Sequence, residues 1–181
     1  MPRPVPSLKA KAVAYLAQRE HSRIELRRKL LAWIARRARA AAASPLAADA
    51  PTPLAGDTDA PLPGEAEVDA LLDALVRQGL LSAERFVETR VHARAARFGN
   101  LRIRHELSLH GLELDPEQAR TLAESEFSRA RAVWTRRYGS PTQDAAERAR
   151  QMRFLAARGF SADVVRRVVG GEAAEDEPNG A

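Results

Sequence analysis

Residues 98–112, FGNLRIRHELSLHGL, read as one short helix with its stops written into the sequence. Phe98-Gly99 is expected to close the helix before it and Asn100 to cap the new one. Ile103 and Leu107, four residues apart, then face one side. Gly111-Leu112 closes the helix, because glycine accepts the left-handed conformation just past a helix end and the following apolar residue folds back onto the last turn. The same grammar recurs downstream. Tyr138-Gly139 matches Phe98-Gly99, and residues 152–160, MRFLAARGF, run into Gly159-Phe160 as the first stretch runs into Gly111-Leu112. The spacing predicts a chain of repeated helical units.

Upstream, Leu8, Ala12, Tyr15 and Leu16 give a helix over about Ser7–Arg19 one buried stripe. Ser22-Arg23-Ile24-Glu25 has the form of a capping box, in which serine and the glutamate three residues on satisfy each other's free backbone N–H groups. The helix it opens has Leu26, Leu30 and Trp33 on its apolar face and Arg23 and Arg27 one turn apart on another. Ile34 stands where Gly111 stands in the second unit, so this helix is expected to run on to Ser44-Pro45. Residues 44–64, SPLAADAPTPLAGDTDAPLPG, hold five prolines and few large apolar residues. Such a segment cannot bury enough surface to offset its ordering entropy and is expected to be a disordered linker inserted in a helical unit.

Val68, Leu71, Leu72, Leu75 and Val76 resume a helical period that Gly79-Leu80 ends. Ser82 opens a fourth helix to about Phe98, burying Phe86, Val87 and Ala93 and placing Arg90, Arg94 and Arg97 on one face. Asp115-Pro116-Glu117-Gln118 is a further start signal, with a cap, a first-position proline and a box glutamine. Its helix carries Ala119, Leu122 and Ala123, and Ser125 and Ser128 are both candidate breaks before the next, which carries Phe127, Ala130, Trp134 and Tyr138. Asp144 opens an eighth helix with Met152 and Leu155, and Ser161 a ninth with Val164, Val165 and Val168. The expected fold is therefore all-α: three tandem three-helix repeats stacked into an elongated array, straight or curved. Its parts are residues 1–43 (two helices of repeat 1), 44–64 (linker), 65–81 (third helix), 82–125 (repeat 2), 126–170 (repeat 3) and an acidic tail over 171–181, expected to be disordered.

Charge is the most informative bulk property. The 29 basic residues include only three lysines, and the formal net charge is +5. Residues 40–67 hold five acids and no base, and residues 172–181 hold four and no base, so the helical remainder is far more positive than the whole chain. That separation points to an anionic partner, nucleic acid or an acidic protein surface, with the tail competing for the same basic surface. Clusters Arg90/Arg94/Arg97, Arg102/Arg104 and Arg148/Arg150/Arg153 are the candidate binding residues; an isolated arginine is more often only a solvated charge.

Enzyme chemistry has little support. The chain has no cysteine, so it has no disulfide and no thiol nucleophile. His21, His92, His105 and His110 include no pair four apart, the spacing that sets two ligands on one helix face, so no metal or other cofactor is expected. Phosphate loops, nucleophile elbows and zinc motifs are all missing from the sequence. The aromatics Phe86, Phe98, Trp134, Tyr138, Phe154 and Phe160 sit at core spacing or at helix stops, which favours packing over base stacking. With no apolar run near the ~20 residues of a membrane helix and no signal-peptide pattern at residues 1–6, the expected location is cytoplasmic.

The stretches REHSRIELRRKL (19–30), GLLSAERFVETRVHAR (79–94), FGNLRIRHELSLHGL (98–112) and ERARQMRFLAARGFSADVVRRV (147–168) together resemble the RecX family of bacterial recombination regulators, over about residues 8–169. The resemblance implies a non-enzymatic protein that binds RecA filaments on single-stranded DNA. It also implies inhibition of RecA recombinase and coprotease activity, and so regulation of homologous recombination, DNA repair and the SOS response. No dimer-forming apolar seam is evident, so a monomer is expected. The alternative from another class is a sequence-specific helix-turn-helix DNA-binding regulator, which would need a recognition helix aimed at base edges and a symmetric dimer.

The linker reading has a direct test. Replacing residues 45–63 by a Gly/Ser segment of equal length is expected to leave the melting temperature nearly unchanged, since such a segment contributes little to the core. A drop of several degrees in a thermal melt would show that the segment packs.

Overall fold

The computed structural model describes residues 6–42 and 64–172; the expected linker, apart from Gly64, and the tail beyond Glu172 lie outside the described residues. Among the described residues the fold is all-α, with α1 Leu8–Leu16, α2 Arg23–Ala42, α3 Glu65–Arg77, α4 Ala83–Ala95, α5 Asn100–Ser108, α6 Pro116–Glu124, α7 Glu126–Tyr138, α8 Ala145–Ala156 and α9 Ala162–Val169. Compact packing divides it into a unit ending at Phe86 and a unit beginning at Val87.

In the first unit Ala12, Leu26, Leu30, Val68, Leu72, Leu75 and Leu81 form the core, flanked by Leu8, Tyr15, Leu16, Ile34 and Leu71. Uninterrupted by any glycine stop, α2 runs for 20 residues. Its basic face meets an acidic stripe on α3. Arg23 donates to Asp73 (2.6 Å), and Arg27 donates to Asp69 (2.8 Å) and Glu65 (2.8 Å). Residues 65, 69 and 73 recur every four positions, so one helix face carries three carboxylates against two guanidiniums and sets the register of α3 on α2. Hydrogen bonding to Arg27 holds the Asp69 carboxyl below its ordinary range.

Ser22 caps α2 through the Glu25 N–H (3.1 Å), as the capping box requires. The Glu25 carboxylate is drawn into a cluster of cations: Arg19 donates to both its oxygens, and Lys29 lies 3.6 Å away. Burial pushes this carboxyl up, but the Arg19 hydrogen bond and the charges around it outweigh that and hold it below the usual range. His21 is fully buried beside it. Burial lowers its pKa. The neutral tautomer fits its partners, with Nδ1–H donating to the Arg19 carbonyl (2.8 Å) and Nε2 accepting from Lys29 (2.7 Å).

Several sequence expectations need correction against the structure. Val76 and Leu80 are exposed, and the residue that folds back past Gly79 is Leu81, buried and bonded through its N–H to the Leu75 carbonyl (3.2 Å). Ala93 is exposed, and α4 ends at Ala95, not near Phe98. The break between α6 and α7 is at Ser125 rather than Ser128. Ser161 stands at the cap position of α9, yet its side chain makes no cap bond.

The second unit is centred on Ala130, Trp134, Leu155, Phe160, Val164, Val165, Val168 and Val169. Trp134 is a core residue whose indole N–H donates to Gln151 (2.8 Å). The capping box at Asp115 forms completely, with Gln118 N–H donating to Asp115 (2.8 Å) and Asp115 N–H to the Gln118 side chain (3.2 Å). Gly111-Leu112 and Gly159-Phe160 close their helices as expected, through Leu112 N–H to Leu107 O (3.1 Å) and Phe160 N–H to Leu155 O (3.3 Å).

The 98–112 stretch itself begins differently from its reading. Gly99, not Asn100, holds the cap position of α5, with φ of −80°. It is a point of close approach rather than a left-handed stop. Gly99 N–H donates to the Arg158 carbonyl and Leu101 N–H to the Gly159 carbonyl, both at 3.0 Å, so the start of α5 is seated on the α8–α9 turn. A Cβ on Gly99 would stand 2.2 Å from Gly159 O, and one on Gly159, whose φ is +79°, 2.6 Å from Arg102 backbone N. Two glycines are required because backbone meets backbone.

Two side chains at the start of α7 complete this joint. The buried Glu126 accepts from Asn100 N–H (2.9 Å) and, at 3.3 Å, from Ser161 N–H, so one carboxylate serves the N-termini of both α5 and α9. Arg129, one turn along, donates to the carbonyls of Ala95 (3.1 Å), Phe98 (2.9 Å) and Leu122 (2.9 Å) and to Asn100 Oδ1 (2.5 Å), serving the C-termini of α4 and α6. Replacing Glu126 by alanine leaves two N–H groups unpaired and Arg129 uncompensated, and is expected to cost about 2–4 kcal/mol of stability. Glu126→Gln, which keeps an acceptor, is expected to cost less. Urea unfolding measures both, and a loss below about 0.5 kcal/mol for the alanine variant, the level of an ordinary surface substitution, would remove Glu126 from this role.

Candidate functional site

Three of the candidate arginines, Arg94, Arg97 and Arg102, gather around Phe98, the half-buried aromatic between α4 and α5. The guanidinium carbons of Arg94, Arg97 and Arg102 lie 5.5, 5.8 and 4.6 Å from its ring centroid. That is the range in which a cation is attracted to an aromatic face. Arg94 reaches the ring from the last turn of α4 and Arg97 from the turn that follows it, and the seating of α5 brings Arg102 from the other side. Glu106 then partly neutralises the group, accepting from Arg94 Nε (2.8 Å) and lying 3.5 Å from Arg102 Nε. Arg90, on the same stripe, is half-buried and engaged within the fold. Of the three predicted stripe residues, Arg97 is the exposed one.

Arg97 also lines a groove of about 440 Å³ with Ala96, Val133, Arg136, Arg137, Phe154 and Arg158. Four guanidiniums surround it and no carboxylate lines it. Its apolar lining is Ala96, Val133 and Phe154; Arg158 lies 3.7 Å from the Phe154 ring centroid and donates to the Phe154 carbonyl (3.3 Å), while Tyr138 packs edge-on against the same ring. These contacts hold Arg158 in place. Planar guanidiniums present paired donors that match the geometry of phosphate and carboxylate oxygens, so an acid-free arginine groove on an aromatic support is chemically an anion site.

Sequence reading singled out Arg97 but missed Arg136, Arg137 and Arg158. Consecutive arginines point to different faces of a straight helix, so Arg136-Arg137 made no stripe, and Arg158 was absorbed into the Arg-Gly-Phe stop. The available signal was the absence of any acid between Glu126 and Asp144. The third predicted cluster does not join the groove: Arg150 pairs with Glu147 (2.9 Å), Arg148 donates to the Thr142 carbonyl (3.3 Å), and Arg153 is exposed. Arg104 lines a separate recess with His105, Ser108, Leu112, Glu113, Leu114 and Ala119. Among the described residues no three His, Asp or Glu side chains gather as a metal site, and no helix is long and apolar enough to cross a membrane.

Comparison with known proteins agrees with this architecture. Residues 124–169 match the family described as RecX, third three-helix domain. The regulatory protein RecX of Ralstonia nicotianae is 44% identical over 173 residues, covering 94% of this chain and 91% of that protein. The chain belongs to the RecX family. The RecX protein of Leptothrix cholodnii is 45% identical over 169 residues, 92% of this chain and 90% of that protein, and that of Pseudomonas syringae pv. tomato is 36% identical over 174 residues, 94% of each. These RecX relatives carry the name of regulatory proteins, and α7–α9 correspond to the matched third domain.

Glu106 partly neutralises Arg94 and Arg102, so its replacement tests whether these arginines contribute to nucleic-acid binding by this RecX chain. Glu106→Gln removes one negative charge shared by Arg94 and Arg102, and is expected to raise affinity for a single-stranded oligonucleotide severalfold at low salt, with the gain shrinking as salt screens it. Anisotropy titrations of parent and variant would read this. Unchanged affinity at low salt would separate the Phe98 arginines from the binding surface.

Proposed function

We propose that this RecX-family chain is a non-enzymatic regulator of RecA that binds the RecA filament on single-stranded DNA and inhibits its recombinase and coprotease activities. The cytoplasm is its place of action and RecA with its nucleoprotein filament its partner, bound by a monomer. Through these activities it would act on homologous recombination, DNA repair and the SOS response. Family membership supports the regulatory role, and the observation that carries the binding mode is the acid-free groove of Arg97, Arg136, Arg137 and Arg158, on an aromatic and apolar lining. Such a surface accepts the anionic side of a filament, phosphate backbone or acidic side chains, without needing base contacts. Arg90, Arg94, Arg102, Arg104, Arg148, Arg150 and Arg153 remain candidate contributors at longer range, through the summed positive field rather than direct bonds.

The test is the triple variant Arg97→Glu, Arg136→Glu, Arg137→Glu. Arg136 and Arg137 are exposed on the last turn of α7, and arginine and glutamate are both good helix formers, so the variant is expected to stay folded by circular dichroism. Inhibition of RecA-driven strand exchange at substoichiometric amounts is expected to fall by roughly tenfold or more, since three attractive charges become repulsive toward an anionic partner. If the groove meets phosphates, the log–log salt dependence of binding to single strands also flattens by about 0.7 for each arginine–phosphate pair removed. If it meets acidic side chains of RecA, inhibition weakens while binding to free oligonucleotide persists. A folded variant that inhibits as the parent does would overturn the assignment.

A further inference from the structure

The four groove arginines lack a carboxylate partner among the described residues, whereas several other arginines of the same unit have one. Arg166 pairs with Asp163 (3.3 Å), Arg94 with Glu106 (2.8 Å) and Arg150 with Glu147 (2.9 Å). Residues beyond Glu172 supply three consecutive acids, Glu175, Asp176 and Glu177, and no base.

The end of α9 sets where that acidic segment starts. Glu172 N–H donates to the Arg167 carbonyl (3.1 Å) and its carboxylate accepts from Arg167 Nε (2.9 Å), so the chain is held back against α9 through residue 172. Gly171, with φ of +85°, turns the chain there and lies against Pro141; a Cβ on it would stand 3.4 Å from Pro141 Cγ. Pro141 follows Arg137 by four residues, which limits the path from the Gly171 contact back to the groove to about 14 Å of chain. Glu175 to Glu177 lie three to five residues beyond Glu172 and so extend about 10–18 Å from it. The reach of the segment is comparable to that upper bound, and arginine side chains shorten the gap further. The nearer cation, Arg167, already holds Glu172.

We propose that the acidic segment of residues 173–181 docks in the Arg97/Arg136/Arg137/Arg158 groove, its three carboxylates paired with the four guanidiniums there, and that this contact competes with a phosphate backbone for the same surface. The docking rests on charge and reach alone; the competition rests also on the groove being a phosphate-binding surface, as proposed above. A tether this short raises the local concentration of the segment to about the millimolar range, enough for a weak salt-sensitive contact to be populated at low ionic strength and to yield to a multivalent polyanion.

The chain has no cysteine, so Gly180→Cys in the full-length protein carries a single nitroxide label. Paramagnetic broadening of backbone amides is expected to remove most of the signal of Arg136, Arg137, Phe154 and Arg158 at low salt. It is expected to spare Arg104 and Arg120, exposed arginines elsewhere in the same unit. Raising the salt, or the combined E175Q, D176N and E177Q substitutions, is expected to restore the lost signals. Broadening confined to Arg166 and Arg167, or spread evenly over exposed arginines, overturns the docking. A second measurement separates the two claims: deletion after Glu172 is expected to tighten binding of a single-stranded oligonucleotide severalfold at low salt, and R136E/R137E is expected to abolish that gain. Docking seen by broadening together with unchanged oligonucleotide affinity overturns the competition and the phosphate reading of the groove. Tightening on deletion without broadening at the groove overturns the docking site.

Discussion

The packing of the second unit depends on a carboxylate and a guanidinium one helical turn apart. Helix ends leave N–H groups and carbonyls without partners, and wherever helices converge those groups must be satisfied from elsewhere. Glu126 serves the starts of α5 and α9, and Arg129 the ends of α4 and α6. Four helix termini from two repeats thus meet at one short stretch of α7. Alone, Glu126 would be a costly buried charge and Arg129 a half-buried one; together they compensate one another, and burial lowers the Arg129 pKa while Glu126 opposes that shift. The groove follows from this joint, because α4, α7 and α8 come together beside it.

In the first unit the corresponding task falls to ion pairs between helix faces. The Glu65/Asp69/Asp73 stripe reads against Arg23 and Arg27, so α3 finds its place on α2 although about twenty residues of sequence separate the two helices. The buried His21, neutral between the Arg19 carbonyl and Lys29, ties the α1–α2 turn to the middle of α2. On acidification the unfolded chain takes up a proton at its ordinary histidine pKa of about 6.5 while the folded His21 resists it, so this contact weakens below that pH. Glu25 adds a second loss at lower pH, as the solution approaches the depressed pKa of its carboxyl.

Local signals were legible in the sequence because their partners lie within a few residues. The Asp115 capping box, the Gly111-Leu112 stop and the Val164/Val165/Val168 stripe each need only a helical turn to define them. What escaped reading was set by partners far along the chain. Gly99 looks like Gly139 in sequence, yet Gly139 has open space around it and Gly99 has none, because what excludes a side chain at Gly99 is the backbone at residue 159. Asn100 has the residue type of a cap, but Glu126, 26 residues away, performs that function. Glu25 fits a capping box by spacing, and its further contacts with Arg19 and Lys29 come from charges outside that motif. The binding surface was legible only as an excess of arginine; which arginines share a groove depends on how α4, α7 and α8 converge, and neither stripe nor spacing encodes that.

The seating of α5 on the α8–α9 turn has a consequence for what the molecule reports about itself. The first amides of a helix ordinarily face solvent and exchange their hydrogens freely. Here the amides of Gly99, Asn100 and Leu101 are held by the Arg158 carbonyl, the Glu126 carboxylate and the Gly159 carbonyl. They cannot exchange by fraying of α5, since their partners belong to the next repeat, and become accessible only when the two repeats part. Their exchange rate therefore measures the free energy of opening the joint, separately from the melting of either repeat, and gives the second unit an internal gauge of how tightly its two repeats are held.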